Sequence, residues 1–312
     1  MMDGRLQVFA GKANPELSDA IMGVLEAPIG RAVVDSFGNG ETQVKLDENV
    51  RGSDVFVIQA MCEPVNHNLM EMLIILDAVR RASASRVTAV IPYYAYARQE
   101  KKTTGREPIS AKLVANLLVT AGADRILTLD LHAPAIEGFF DIPVDHLRAT
   151  PILASHFRRL GLEDLVVVSP DSGGVGRADE FRKRAGGSLA IISKQHPKPE
   201  QTEVIEMVGD VEGKNAVIVD DMIAGGGTLV KAADLLLSRG AKSVRAAAVH
   251  GIFAGDALDL IENSNIERVY VTDTIPRRQG TPEKIETLSV APLMAEAIMR
   301  IHKDLSISAL FT

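Results

Sequence analysis

Residues 217–228, VIVDDMIAGGGT, decide how this chain is read. The leading Val217, Ile218 and Val219 are apolar and β-branched, too short a run for a helix and suited to a strand buried on both faces. Directly after the loop, LVKAADLLLSRG spaces Leu229, Ala232, Ala233, Leu236 and Leu237 along one helical face, with Gly240 placed to stop it. Strand, loop and helix in this order make one unit of a parallel α/β fold, in which ligands sit beyond the carboxyl ends of the strands. Asp220 and Asp221 stand at such an end. As strand neighbours they are expected to leave on opposite sides, so that one reaches a ligand and the other a lysine, a metal-bound water or the backbone. A carboxylate accepts hydrogen bonds from a vicinal sugar diol, and magnesium prefers oxygen ligands. Gly225, Gly226 and Gly227 let the backbone approach a phosphate closely, and Thr228 adds a hydroxyl at the helix start. No lysine follows the glycines and the spacing is not G-x-G-x-x-G, so neither of the two common nucleotide loops fits.

The same alternation extends outward. DVFVIQ, RVTAVIPYY, DRILTLDLH, DLVVVSP, LAIIS, NAVIVDD, SVRAAAVHG and RVYVTDTIP read as strands. NHNLMEMLIILDAVRRA, PISAKLVANLLVTAG, TPILASHFRRLG and VGRADEFRKRAG read as helices, the last two closing on glycine. The expected class is α/β with mostly parallel sheets flanked by helices. The halves also echo each other: RVTAVIPYYAYARQ lies over DLVVVSPDSGGVGRA, and ADRILTLDLHA over GKNAVIVDDMIAG. Two similar domains are expected, residues 1–149 and 150–312.

Bulk properties narrow the partners. The formal charge of −7 disfavours nucleic acid and acidic membrane surfaces. No run approaches the roughly 18 apolar residues of a membrane span, and MMDGRLQVFAGKANPEL lacks a signal layout, so a cytoplasmic location is expected. The one cysteine, Cys62, excludes an internal disulfide framework and reads as a small half-buried residue. Positive charge gathers locally in ARQEKKTTGRE and SKQHPKP, in turn-like segments.

The two acids and small-residue loop at 220–228 resemble the type I phosphoribosyltransferase signature. Together with DLHAPAIEGFFDIPVDHL, SPDSGGVGRA, YYAYARQEKKTTGREPISAKLVANLL, SFGNGETQVKLDENVRGSDVFVIQ and MAEAIMRIHKDLSISALF, the chain is similar to the ribose-phosphate pyrophosphokinase family from about Val8 onward. The resemblance implies two phosphoribosyltransferase-like domains, the first carrying ATP-contacting motifs, the second a ribose 5-phosphate loop and a catalytic flap. It implies magnesium-dependent transfer of the pyrophosphoryl group of ATP to the anomeric hydroxyl of ribose 5-phosphate. Lys194, opening KQHPKPEQT, is the implied catalytic lysine. Phe37, Asn39, Gly40, Glu41, Arg98 and Gln99 are implied ATP contacts. His196, Asp220, Asp221, Ala224, Gly225, Gly226, Gly227 and Thr228 are implied to bind ribose 5-phosphate, and His132 and Asp171 the metal. His132, two residues past Asp130 on a strand end, is expected on the same face as that acid. Taken by itself, an aspartate at position 171 caps the helix that follows. The family lends the loop at 37–41 from a neighbouring subunit, implying a homo-oligomer, a hexamer among the forms, with a shared active site. Two departures stand out: His196 where an arginine is usual, and Ala224 with Gly225 where an acid and a threonine are common. The alternatives are a non-catalytic regulatory relative and a true phosphoribosyltransferase; intact Lys194, His132, Asp171, Asp220 and Asp221 weigh against the first, and the YARQ and FGNGE motifs against the second.

Overall fold

The computed structural model describes residues 4–195 and 204–310. The chain divides into two compact units, one of residues 1–148, 274–276 and 289–312, the other of residues 149–273 and 277–288.

The first unit runs β1 (Leu6–Ala10), α1 (Pro15–Leu25), β2 (Ala32–Ser36), β3 (Thr42–Leu46), β4 (Asp54–Ile58), α2 (Val65–Arg81), β5 (Arg86–Ile91), α3 (Ser110–Ala121), β6 (Arg125–Leu129) and β7 (Val144–Leu147), with a 3-10 turn at Pro134–Phe139. Five strands form a parallel sheet in the order β1-β4-β5-β6-β7, and β2 and β3 pair separately. All five residues of β4 are buried, which is why it reads as an apolar run without alternation. Asn14 caps α1 by accepting from the Leu17 N–H, and Pro15 occupies its first turn.

The second unit contains α4 (Thr150–Leu160), β8 (Leu165–Ser169), α5 (Val175–Ala185), β9 (Ser188–Gln195), β10 (Val204–Val208), β11 (Asn215–Ile223), α6 (Gly227–Ser238), β12 (Ser243–Gly251), α7 (Ala257–Glu262), β13 (Arg268–Thr272) and β14 (Ile285–Leu288). Its sheet order is β10-β9-β8-β11-β12-β13-β14, with only the β9–β10 pair antiparallel. Leu229, Ala232, Ala233 and Leu236 of α6 are buried as their spacing predicts. The chain after β14 returns to the first unit as α8 (Ala291–His302).

Element by element the two sheets repeat: β1-β4-β5-β6-β7 in one matches β8-β11-β12-β13-β14 in the other, with a hairpin after the first helix in each. The topology therefore equates β8 with β1 and β11 with β4. The sequence echo had set β5 against β8 and β6 against β11; buried parallel strands share composition, so short apolar matches slide between non-equivalent strands.

The two helices that follow the last strands are exchanged. α4 follows β7 but packs on α5 in the second unit, and α8 follows β14 but packs on α1 in the first. The first crossing falls between residues 148 and 149, and residues 289–312 belong with the first unit. The apolar face of α8, including Met294, Ile298 and Ile301, is buried there.

Candidate functional site

In the second unit β8 sends its crossover to β9 on one side, while β11 lies on the other, so the carboxyl ends of β8 and β11 flank the point where strand order reverses. Open α/β sheets bind ligands at this crevice. Pairing of β11 with β8 ends at Ile218, whereas pairing with β12 continues to Ile223. Asp220 and Asp221 thus stand where β11 has outrun its neighbour.

The two carboxylates do not part to opposite sides as strand alternation predicts. One guanidinium, Arg177 of α5, reaches both: Nη1 donates to Asp220 Oδ1 at 2.9 Å, and Nη2 lies 3.3 Å from Asp221 Oδ1. The Asp221 N–H also donates to Asp220 Oδ1 at 2.8 Å. Asp221 is the inner acid, its side chain 5% exposed against 34% for Asp220. The structure thereby resolves which acid faces outward. Burial and then the adjoining Asp221 push the Asp220 carboxyl up to about 7, against the opposing pull of Arg177.

The glycine loop ties back to the next strand end: the Ala254 N–H donates to Ala224 O at 2.9 Å, and the Ile252 and Phe253 N–H groups donate to Ile223 O. Gly226 adopts φ 73° as the N-cap of α6, and no side chain caps this helix. The first N–H groups of a helix have no intrahelical partner, so this end presents donors to an anion. Gly225 and Thr228 are exposed. A side chain at Gly225 would meet nothing within 4 Å, whereas one at Gly226 would stand 3.4 Å from Ala257.

Asp171 follows β8 and is exposed; its Oδ1 accepts from the Gly174 N–H at 2.9 Å, closing the turn that leads into α5 with one carboxylate oxygen. Lys194 belongs to β9, opposite Ile205 of β10. Residues 196–202 of the candidate flap, His196 among them, lie outside the described residues.

In the first unit, Phe37, Asn39, Gly40 and Glu41 are exposed in the β2–β3 hairpin, closed by the Phe37 N–H to Glu41 O at 2.8 Å and by the Glu41 N–H to Asn39 Oδ1 at 3.2 Å. Arg98 and Gln99 are exposed past β5, where Gln99 bonds Ser110 at the start of α3. The alternation argument for His132 does not hold: β6 ends at Leu129, and Asp130, buried with φ 39°, turns the chain before His132. This bend has a buttress that sequence reasoning missed. The Leu131 N–H donates to His146 Nε2 at 2.8 Å, which places the ring proton on Nδ1, facing Glu137.

The strand ends of the first unit equivalent to the β8/β11 crevice are tied together from within. Glu71, 1% exposed, accepts from the Lys12 N–H at 2.6 Å and from Gln59 Nε2 at 2.7 Å, and Gln59 Oε1 accepts from the Ala13 N–H. A buried carboxylate of the protein holds the loops where the other repeat leaves helix N–H groups to a ligand. Sequence reasoning also passed over Arg177. The signal was there: a base in the first turn of a helix opposes the helix dipole and calls for an external acid.

As for a metal, no group of three or more His, Cys, Asp or Glu side chains stands together among the described residues. Magnesium commonly keeps its waters and binds through one or two carboxylates plus substrate phosphates. The exposed Asp171 carboxylate, with only one oxygen engaged by Gly174, fits that pattern; His132 offers a nitrogen, a poorer partner for a hard cation than for a phosphate oxygen. No helix among the described residues is long and apolar enough to cross a membrane.

Comparison with known proteins gives one answer along the chain. Residues 6–122 match the N-terminal domain of ribose phosphate pyrophosphokinase, and residues 182–312 match the phosphoribosyl synthetase-associated domain. The ribose-phosphate pyrophosphokinase of Clostridium acetobutylicum is 50% identical over 309 residues, covering 98% of this chain and 97% of that protein. That of Aquifex aeolicus is 49% identical over 308 residues, covering 98% and 99%. The crystal structure of phosphoribosylpyrophosphate synthetase from Mycobacterium smegmatis superposes with a TM-score of 0.90 at 44% identity, covering 96% of this chain and 99% of that one. A parallel α/β repeat with paired acids beside an uncapped glycine helix start, and this likeness over nearly the full length of each relative, place the chain in the ribose-phosphate pyrophosphokinase family.

Proposed function

We infer that the protein transfers the pyrophosphoryl group of ATP to the anomeric hydroxyl of ribose 5-phosphate, giving phosphoribosyl pyrophosphate and AMP. The observation that carries this is the crevice at β8 and β11, which offers what a sugar phosphate needs. The amide donors at the start of α6 suit the 5-phosphate, and the outward Asp220 carboxylate accepts from ring hydroxyls. In the reaction the anomeric oxygen forms a bond to the β-phosphorus, the bond from that phosphorus to the oxygen bridging to the α-phosphorus breaks, and AMP leaves while the hydroxyl proton is released.

Such transfer depends on positioning and charge neutralisation more than on covalent chemistry. Magnesium, when bound, would neutralise and orient the phosphates, with Asp171 as oxygen ligand and His132 as a contact to metal or triphosphate. Lys194 would supply a positive charge to the transferred group from the β9–β10 hairpin. Ala224, Gly225, Gly226, Gly227 and Thr228 would hold the sugar phosphate with Asp220 and Asp221, and His196 would assist at neutral pH as a mostly uncharged donor. Phe37, Asn39, Gly40, Glu41, Arg98 and Gln99 would contact ATP, the exposed hairpin of the first four being lent by another copy in a homo-oligomer such as a hexamer. The reading includes a cytoplasmic location, which a sequence with one cysteine, and so no internal disulfide, supports.

The deciding assay mixes purified protein with magnesium, ATP and ribose 5-phosphate and follows AMP together with pyrophosphorylated sugar. Release of ADP would indicate an ordinary kinase, and no turnover a regulatory relative. Lys194→Ala is expected to lower kcat on the order of a hundredfold or more, as loss of a charge aimed at the transition state does, with an unchanged circular-dichroism spectrum; near-normal turnover would remove Lys194 from the mechanism.

A further inference from the structure

The N-terminal end of a helix is electrically positive and favours acids, not bases. Arg177 is nevertheless the third residue of α5, and no acid accompanies it in that turn. Its charge is met from another element, by Asp220 and Asp221 of β11. The turn from β8 makes room for this. A side chain at Gly174 would strike Ser169 Oγ at 2.9 Å and stand 3.6 Å from both Arg177 Nη1 and Asp171 Oδ1. The bond from Gly174 N–H to Asp171 sets the start of α5, and with it the place from which Arg177 extends.

Consecutive carboxylates repel when held close, and neither would keep a defined aim alone. A planar guanidinium has parallel donors that one fork can divide between two acids, which the single ammonium of lysine lacks. The bonds from Arg177 and from the Asp221 N–H both fall on Asp220 Oδ1. Neither uses the second oxygen of Asp220, whose side chain is the more exposed of the pair.

Resting on the assignment of this crevice to a sugar phosphate, we propose that Arg177 is the positioning residue of the sugar site, holding Asp220 and Asp221 together so that the outer carboxylate keeps one oxygen aimed at a ribose hydroxyl. The guanidinium contributes to sugar binding through the acids and has no part in binding the nucleotide.

The test compares full-length wild type, Arg177→Lys, Arg177→Ala and Asp220→Asn by calorimetric binding of ribose 5-phosphate, by KM for each substrate with kcat, and by thermal unfolding. Misplacing a binding group by about 1 Å can cost a hundredfold, so Arg177→Lys is expected to weaken sugar affinity on the order of ten- to a hundredfold, leaving KM for ATP unchanged. Millimolar guanidinium chloride is expected to restore sugar affinity to Arg177→Ala and not to Asp220→Asn. A purely structural arginine would lower the unfolding temperature with no split between substrates and no rescue, which overturns the proposal, as does unchanged sugar affinity in Arg177→Lys. Should Arg177→Ala fail to fold, the lysine variant decides. If wild type binds the sugar phosphate but releases no AMP, the enzymatic reading fails while the binding arm still judges Arg177; if wild type does not bind it, the crevice assignment falls and the proposal with it.

Discussion

Gly225 and Gly226 are neighbours with different reasons to be glycine. Gly226 sits at φ 73° against Ala257, so Gly226→Ala is expected to destabilise by about 1–2 kcal/mol, the cost of left-handed backbone for an L-residue. Gly225 has an ordinary φ and open space, so Gly225→Ala is expected to stay within about 0.5 kcal/mol of wild type in urea unfolding. Gly225→Thr would then add a hydroxyl at the helix start without strain. It is expected to tighten ribose 5-phosphate binding about tenfold, the worth of one hydrogen bond to a charged group, measured by calorimetry. Asp220 makes a prediction of a different kind. Its folded-state pKa of about 7 lies above the unfolded value of 3.8, so between those values the folded chain holds the extra proton. Stability therefore declines as pH rises through that window. The difference in unfolding temperature between ligand-free wild type and Asp220→Asn is expected to shift against the wild type as pH rises from 4 to 8.

Elements owe their positions here to side chains that lie far off in sequence. The bend after β6 depends on His146 of β7, which must be neutral at Nε2 to accept the Leu131 N–H. Burial, and next the charge of Arg148, hold its pKa below the usual histidine value. A lowered histidine pKa means that the unfolded chain takes up the proton first. Stability is then lost as pH falls below about 6.5 toward the folded-state pKa. Between pH 7 and 5 the unfolding temperature of wild type is expected to drop further than that of His146→Gln, whose amide oxygen can still accept the bond. The β2–β3 and β9–β10 hairpins show how the same element can be used differently: one makes its own two-stranded sheet, the other joins the main sheet through β9. Lys194 owes its place to that second arrangement.

At the scale of the molecule, the exchange of α4 and α8 means that the first unit is completed by the last residues of the chain. Asp54, fully buried at the start of β4, receives a two-pronged bond from Arg86 at 2.8 and 2.7 Å and a contact from His302 Nδ1 at 2.8 Å. Arg86 also donates to Ile301 O at 2.8 Å, so α8 is clamped to the sheet. Removing one partner of a buried ion pair leaves the other unpaired, and Asp54→Ala is expected to cost about 3–5 kcal/mol in urea unfolding. Hydrogen exchange should show the loss in α8 and α1 as well as in β4, whereas an effect confined to β4 would mean that the clamp does not hold the helix.

Much of this was legible in the residues. β4, β5, β6, β8, β11, β12 and β13 are continuous apolar runs because both faces of a parallel sheet are covered, and α2 to α6 carry a clear 3.6-residue period. β2 and β3 escaped notice because every second residue is exposed and polar or charged residues are mixed in, and β7 and β14 are only four residues long. The acids and the glycine loop of the candidate site could be recognised because their chemistry is contiguous, within 220–228. By itself, then, the sequence determined the α/β class and the chemical character of the crevice, since these follow from local pattern and residue type, whereas which strands repeat which came from the topology. Only the tertiary structure decided which acid faces outward, that Arg177 from 43 positions away joins them, and that the last helix completes the first unit. Those depend on which elements meet in space, and the free energy of burying and pairing groups across the sheet is not written in any one stretch of chain.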